Sequence, residues 1–235
     1  MLADAGPCPV VLVHGWGGSF ATTWQHSGFT DLLADAGRDV VGVDLLGHGT
    51  APKPHDPDEY ADLTARVVEA LPDRPCDAIG FSLGAQTLLR VAISNPGRFR
   101  RLVLAGVGRN VFESDEEMTR RIVAAIESGG ETDDNVARLF VRYASQHGND
   151  PVALAAIMTR RASVLEPLTE LQLANVSCPV LVVVGENDFV LPADRLVAAL
   201  PQATLRTLRR TDHFATPESF DFIDAALGFI DAVPR

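Results

Sequence analysis

The chain has 235 residues, 46% of them apolar and 22% charged, which is the composition of a single soluble globular domain with a large core. A net charge of −11 and a pI near 4.9 create a field that repels phosphate. Nucleic acid and anionic membrane surfaces are therefore not expected as partners. No apolar run approaches the ~18 residues of a membrane-crossing helix.

Residues 1 to 9 carry no basic stretch ahead of their apolar run, so no signal peptide is read there and a cytoplasmic location is expected. The 3 cysteines, an odd number, are then expected as free thiols. Cys8 and Cys76 begin two strands that are candidate neighbours, so a bridge between them is geometrically conceivable.

Residues 9 to 14 form a continuous apolar run, the pattern of a strand buried on both faces. It runs into the glycine-rich loop His14-Gly15-Trp16-Gly17-Gly18. The next segment, capped by Thr22 or Thr23, carries Trp24, Phe29, Leu32 and Leu33 at helical spacing and stops at Gly37. Residues 39 to 44 read as a second buried strand, followed by a proline-rich loop to Pro57. A 3.6-residue period then predicts a helix from Tyr60 to Leu71, ended by Pro72. A strand over 76 to 81, a helix over 83 to 95 and a strand over 101 to 105 follow.

From Gly106 to Ser177 the alternation of strand and helix stops. Three amphipathic stretches, near 114 to 127, 133 to 146 and 151 to 165, read as a helical insertion capping the main domain. The alternation resumes with a strand at 179 to 184, a helix at 193 to 200, a strand at 204 to 208 and a helix at 218 to 232. Residues 1–108 and 176–235 are thus assigned to an α/β core and 109–175 to the cap. Such alternation implies a mostly parallel, doubly wound, six-stranded sheet with right-handed crossovers. Ligands of such sheets bind beyond the carboxyl ends of the strands.

That rule directs attention to four post-strand loops: 14 to 18, 80 to 84, 186 to 188 and 212 to 214. Gly80-Phe81-Ser82-Leu83-Gly84 stands between a strand and a helix, the setting of a nucleophile elbow. A strained turn there projects the serine hydroxyl above the sheet. Gly80 and Gly84 lack a Cβ, so the turn can close and the helix can approach its neighbouring strand. Ser82 could instead be a plain helix N-cap, and Asp188, after Asn187, a plain turn residue. Asp44, at another strand end, is a rival acid. His14 is read as a structural hydrogen-bonding residue and His26, His55 and His147 as solvated. Arg120, Arg121, Arg160 and Arg161 read as solvated helix faces.

The order Ser82, Asp188, His213, each just past a strand, resembles the α/β-hydrolase superfamily over essentially the whole chain. The matching pieces are HGWGG at 14 to 18, DLLGHG at 44 to 49, GFSLG at 80 to 84, GENDFVLP at 185 to 192 and DHFATPE at 212 to 218. The family's usual order places two strands ahead of the His-Gly loop, and this chain has room for neither, so it looks like a trimmed version. The resemblance implies Ser82 as nucleophile, His213 as base and Asp188 as the residue orienting it. It further implies an oxyanion hole built from the backbone N–H groups of Trp16 and Leu83. Serine at the elbow excludes the aspartyl nucleophile of the superfamily's haloalkane dehalogenases and epoxide hydrolases.

No metal-ligand spacing, P-loop or GxGxxG fingerprint is present, so neither metal nor cofactor is implied. Phe20, Phe189, Phe214, Met118 and Phe140 are candidates for an apolar acyl pocket. The expected function is hydrolysis of a small carboxylic ester or thioester through an acyl-enzyme, by a monomer or homodimer. The alternatives are a carbon–carbon bond hydrolase, a lyase or an acyltransferase using the same triad, or a ligand-binding protein on the same fold.

Overall fold

The computed structural model describes residues 7–164 and 167–234, the side chains of 161–164 excepted. Six strands form one sheet: β1 (Val10–Val13), β2 (Val40–Val43), β3 (Cys76–Phe81), β4 (Phe99–Ala105), β5 (Val180–Gly185) and β6 (Ala203–Leu208). Every pairing is parallel, in the order β2-β1-β3-β4-β5-β6. From β1 the chain goes first to one side and then, after β2, to the other. The loops after β1 and β3 are consequently neighbours at the switch point of the sheet, where such folds open a crevice.

Period-2 alternation divides the strand residues between two cores. Val11, Val13, Ala78, Leu102, Leu104, Val182 and Val184 face one side, and Val10, Leu12, Ile79, Phe81, Val103, Leu181 and Val183 the other. The first face is covered by α2 (Ala65–Ala70), α3 (Leu83–Ser94), α7 (Glu170–Leu173) and α8 (Asp194–Ala199). Trp24, with Phe29 and Leu33 of α1 (Phe29–Asp35) and Phe222 and Leu227 of α9 (Phe220–Phe229), covers the second.

Three local expectations are corrected. The helix expected from Thr22 or Thr23 to Gly37 is two pieces, a wide turn at Ala21–Gln25 and α1, because Gly28 between them takes a left-handed φ of 75°. Ahead of the first piece, Ser19 Oγ accepts from the Thr22 N–H at 3.0 Å while Thr22 Oγ1 accepts from the Ser19 N–H at 2.8 Å. The helix expected from Tyr60 to Leu71 is a 3-10 turn at Pro57–Tyr60 followed by the short α2. Asp62 divides them: its Oδ1 accepts from both the N–H and the hydroxyl of Thr64, which gives the backbone an alternative to the helix. Strand β2 lies at the sheet edge with Gly42 exposed, so only Val43 is buried.

Between β4 and β5 the described residues contain no strand. Helices α4 (Glu116–Glu127), α5 (Asn135–Ala144) and α6 (Pro151–Val164) lie there, over the carboxyl ends of the strands. Asp115 and Asp134 cap the first two through N–H groups of the first turn, and Asp150 does the same for α6. Of the four cap arginines read as solvated helix faces, the three with described side chains are also ion-paired: Arg120 with Glu117, Arg121 with Asp134, and Arg160 with Asp58. The side chain of Arg161 lies outside the described residues. His55, read as solvated, contacts Asp150 at 2.8 Å.

Cys8, Cys76 and Cys178 are unpaired. Burial, reinforced by the nearby Cys8 and Asp77, pushes the Cys76 thiol up to about 12. No helix among the described residues is long and apolar enough to cross a membrane.

Candidate active site

At the end of β3 the chain turns sharply into α3, and Ser82 is held at φ 50°, ψ −108°. For a residue with a Cβ this is costly, about 1–3 kcal/mol, and it persists because the surroundings impose it. A Cβ on Gly80 would lie 2.7 Å from the Ala85 nitrogen, and one on Gly84 would lie 2.5 Å from the His14 carbonyl oxygen. Glycine at both positions lets α3 start against β1 with the serine at the apex.

Two further loops bring the remaining groups to that apex. Beyond β5, the Asp188 N–H closes a turn on the Gly185 carbonyl oxygen. Beyond β6, the Thr211 carbonyl accepts from the Asn187 N–H, and Glu186 Oε2 accepts from the Arg210 N–H at 2.7 Å. The two loops are thus joined backbone to backbone. His213 Nδ1 lies 3.0 Å from both oxygens of Asp188, and its Nε2 lies 3.0 Å from Ser82 Oγ. A carboxylate only accepts, so Nδ1 carries the proton and Nε2 presents its lone pair to the serine hydroxyl. Asp188 Oδ1 also accepts from the Val190 N–H at 3.0 Å, so its turn role and its contact with His213 coexist in one side chain.

Both partners are shielded, Asp188 and His213 each being 4% exposed. The imidazole is packed among Phe81, Phe189 and Phe214, with ring centroids 5.0, 4.4 and 5.5 Å away.

The loop after β1 borders the serine directly, since a Cβ on Gly15 would stand 3.3 Å from Ser82 Cβ. A turn closed by the Gly18 N–H on the Gly15 carbonyl shapes it. His14 is fully buried; its Nδ1 meets the Gly15 carbonyl at 2.8 Å and its Nε2 accepts from the Leu45 N–H at 3.1 Å. Burial, outweighing a carbonyl contact and the Asp44 charge, holds His14 below the usual imidazole range. Asp44 is engaged elsewhere: it accepts from the Phe20 N–H at 2.7 Å and from the N–H and hydroxyl of Thr50, bracing two loops. Leu83 opens α3, so its N–H is one of those with no acceptor within the helix.

A cavity of about 170 Å³ opens beside Ser82. Trp16, Met118, Ile122, Phe140, Met158 and Phe189 give it an apolar wall; Gln86, Asn110, Glu113 and Asp115 give it a polar one. Of the expected pocket residues, Met118, Phe140 and Phe189 line this cavity. Phe214 meets His213 edge-on and lies tilted against Tyr143, bordering a smaller space of about 90 Å³. Phe20 is not brought to the site: its ring lies beside Gly42 of the edge strand, which leaves no room for a Cβ there. The strand-end position that suggested Phe20 says nothing about which face of the sheet a loop side chain turns to.

Gln86 and Ile122 were not singled out by the sequence reading. Gln86 lies four residues beyond Ser82, one turn along α3, and that spacing alone places it on the same face. Ile122 carried no such signal. Among the described residues, no group of three His, Cys, Asp or Glu side chains stands close enough to hold a metal ion.

The alpha/beta hydrolase family model matches residues 10–225. A pimeloyl-[acyl-carrier protein] methyl ester esterase of Methylococcus capsulatus is 41% identical over 105 residues, which is 44% of this chain and 39% of that protein. The chain thus spans about two fifths of that esterase in the matched stretch. A 2-hydroxy-6-oxononadienedioate/2-hydroxy-6-oxononatrienedioate hydrolase of Cupriavidus pinatubonensis is 27% identical over 90% of this chain and 82% of its own. Among solved structures, an esterase from a marine microorganism superposes with a TM-score of 0.73 at 20% identity, covering 95% of each chain. At that identity the likeness speaks for the fold alone.

Proposed function

The chain belongs to the alpha/beta hydrolase family, and from that premise we propose that it is a serine hydrolase cleaving a small carboxylic ester or thioester without a cofactor. The observation that carries the proposal is the hydrogen-bonded series Ser82, His213, Asp188, at 3.0 Å per step, beside a compact and largely apolar cavity.

A serine hydroxyl is a weak nucleophile until a base takes its proton. In this reading the Ser82 oxygen attacks the ester carbonyl carbon while His213 Nε2 accepts the hydroxyl proton. Asp188 stabilises the imidazolium through Nδ1. The negative oxygen of the tetrahedral intermediate is received by the N–H groups of Trp16 and Leu83. One such donor typically supplies about 3–4 kcal/mol of barrier lowering. Collapse breaks the carbonyl–oxygen or carbonyl–sulfur bond, and His213 returns the proton to the leaving alcohol or thiol. Water, deprotonated by His213, then attacks the acyl-enzyme, releasing the acid and restoring Ser82. The three unpaired cysteines fit an enzyme of the cytoplasm.

A p-nitrophenyl ester series from acetate to palmitate, run beside Ser82→Ala, tests the reading. The small cavity favours an optimum among the short acyl chains, and the substitution should lower kcat by roughly a million-fold. Equal activity in both proteins would refute it. A second reading, hydrolysis of a carbon–carbon bond beside a ketone by the same residues, is favoured by the likeness over most of the chain to a hydrolase named for 6-oxo dienedioates. Absence of esterase activity, with Ser82 still labelled by a fluorophosphonate, would move the assignment there.

A further inference from the structure

The loop expected to supply an oxyanion donor is unusually free in its backbone. Gly15, Gly17 and Gly18 flank Trp16, and Gly17 sits at a left-handed φ of 73°. The Trp16 N–H belongs to the Gly15–Trp16 peptide, whose carbonyl accepts from the Gly18 N–H within the loop; because glycines impose little on their φ and ψ, the remaining restraint comes from outside the loop. On one side His14 is fixed to Gly15 and Leu45. On the other side the contacts come from the cap.

Two hydrogen bonds make that connection. Asn149, in the turn between α5 and α6, donates from Nδ2 to the Gly17 carbonyl at 2.7 Å and to the Tyr143 carbonyl at 2.9 Å. The Trp16 indole N–H donates to the Leu154 carbonyl of α6 at 3.1 Å. Both acceptors of Asn149 are carbonyls, so its amide group must face them with the nitrogen. One carbonyl belongs to the last turn of α5 and the other to the glycine loop, 132 residues away in sequence. The Cβ of Tyr143 also stands where a side chain on Gly17 would lie, at 3.3 Å. The loop is therefore held against the cap at Trp16 and Gly17, the two residues that follow the Gly15 carbonyl.

We propose that Asn149 is a positioning residue for the oxyanion hole: by holding the Gly17 carbonyl to the end of α5, it keeps the Trp16 N–H aimed at the developing oxyanion. The cap then acts as a splint for the loop. This inference rests on the serine-hydrolase reading. Because the donor itself is kept when Asn149 is changed, the expected loss is that of misplacement, about 10- to 100-fold in kcat.

The test uses Asn149→Ala and Asn149→Asp in the full chain, the second keeping size and shape while removing the donor. kcat and KM for the best p-nitrophenyl ester are measured, together with the inhibition constant of an alkyl trifluoromethyl ketone, whose adduct with Ser82 carries the tetrahedral oxyanion. His55→Ala serves as the control, since it releases the neighbouring Asp150 from the proline-rich loop without touching the glycine loop. The expected result is a lower kcat, a ketone affinity reduced by the same factor, and a KM within about twofold of the parent. His55→Ala should leave all three unchanged.

Parent-like kcat and ketone affinity in both Asn149 variants would overturn the inference while leaving the serine-hydrolase reading intact. An equal loss in His55→Ala would also overturn it, because general loosening of the cap would then account for the effect. Failure of both Asn149 variants to fold would assign the residue to the fold instead. Activity that survives Ser82→Ala would remove the parent reading, and this inference with it.

Discussion

A methyl group on Gly84 would lie 2.5 Å from the carbonyl oxygen of His14 and 2.7 Å from the carbonyl carbon of Val13, so the first turn of α3 touches β1 backbone to backbone. Backbone cannot rotate away as a side chain can. Gly84→Ala must therefore push α3 off the sheet, carrying Ser82 with it. Overpacking of this kind costs about 1–3 kcal/mol, and in a domain of this size each kcal/mol lowers the melting temperature by roughly 2–4 °C. Thermal denaturation and ester turnover should both fall. A variant that melts like the parent and retains its turnover would show that the contact yields more easily than backbone should.

Asp188 and Asp44 are both strand-end carboxylates, yet only Asp188 meets His213. Asp188→Asn should reduce kcat by about 10⁴-fold, because the amide can present N–H to Nδ1 and favour the wrong tautomer. Asp44→Asn should instead weaken the bonds to Phe20 and Thr50, lowering stability with little change in kcat. Steady-state kinetics on the pair, with melting temperatures, separates the two; a reversed pattern would make Asp44 the acid.

The buried His48 predicts a pH dependence of stability. Burial, aided by the facing His14, lowers its pKa to about 3, and its Nε2 has no partner among the described residues, so a second N–H there would be stranded. His14 shifts in the same direction and Asp44 faces the pair. A folded pKa below the unfolded value of 6.5 means that the unfolded chain binds more protons between these limits. The contribution is thus complete above pH 6.5 and is lost as pH falls towards 3, on the order of 1 kcal/mol per pH unit for His48 alone. Urea unfolding at pH 7.5, 6 and 5 should show the decline, and His48→Asn should flatten it. A stability independent of pH over this range would contradict the neutral buried pair.

Phe140 and Phe20 should separate when substrate preference is measured. Phe140 forms cavity wall beside Trp16, with ring centroids 5.2 Å apart, so Phe140→Ala should move the acyl-length optimum to longer chains. Phe20→Ala removes a half-buried ring packed beside Gly42 at the sheet edge. It should cost up to about 3 kcal/mol of stability and leave the optimum where it was. The p-nitrophenyl ester series reads both effects, and a shifted optimum in Phe20→Ala would bring that residue back to the site.

Much of this architecture is written in local signals. The runs Val10–Val13, Cys76–Phe81 and Val180–Gly185 are buried throughout, and a continuous apolar run of that length has few alternatives to a central parallel strand. Helices α4, α5 and α6 fall within two residues of the expected stretches, because each has an aspartate at its start; α4 and α5 carry a 3.6-residue apolar period behind it, whereas α6 is buried on consecutive residues from Ala153 to Met158 rather than along one face. Periodicity misled where a short-range competitor intervened: Gly28 divided one helix and the Asp62–Thr64 bonds divided another.

The sequence alone, then, determined the alternation of strands and helices, the position of the elbow, and the three residue types that follow strands in the order serine, aspartate, histidine. These depend on neighbours within a turn or two of chain. The tertiary structure decided which of two strand-end aspartates meets His213, that Phe20 faces away from the cavity, and that Asn149 reaches the glycine loop. Each of those rests on contacts spanning between 22 and 132 residues, as between Phe20 and Gly42 or Asn149 and Gly17. Sequence spacing carries no information about such pairs until the sheet order and the seating of the cap have brought them together.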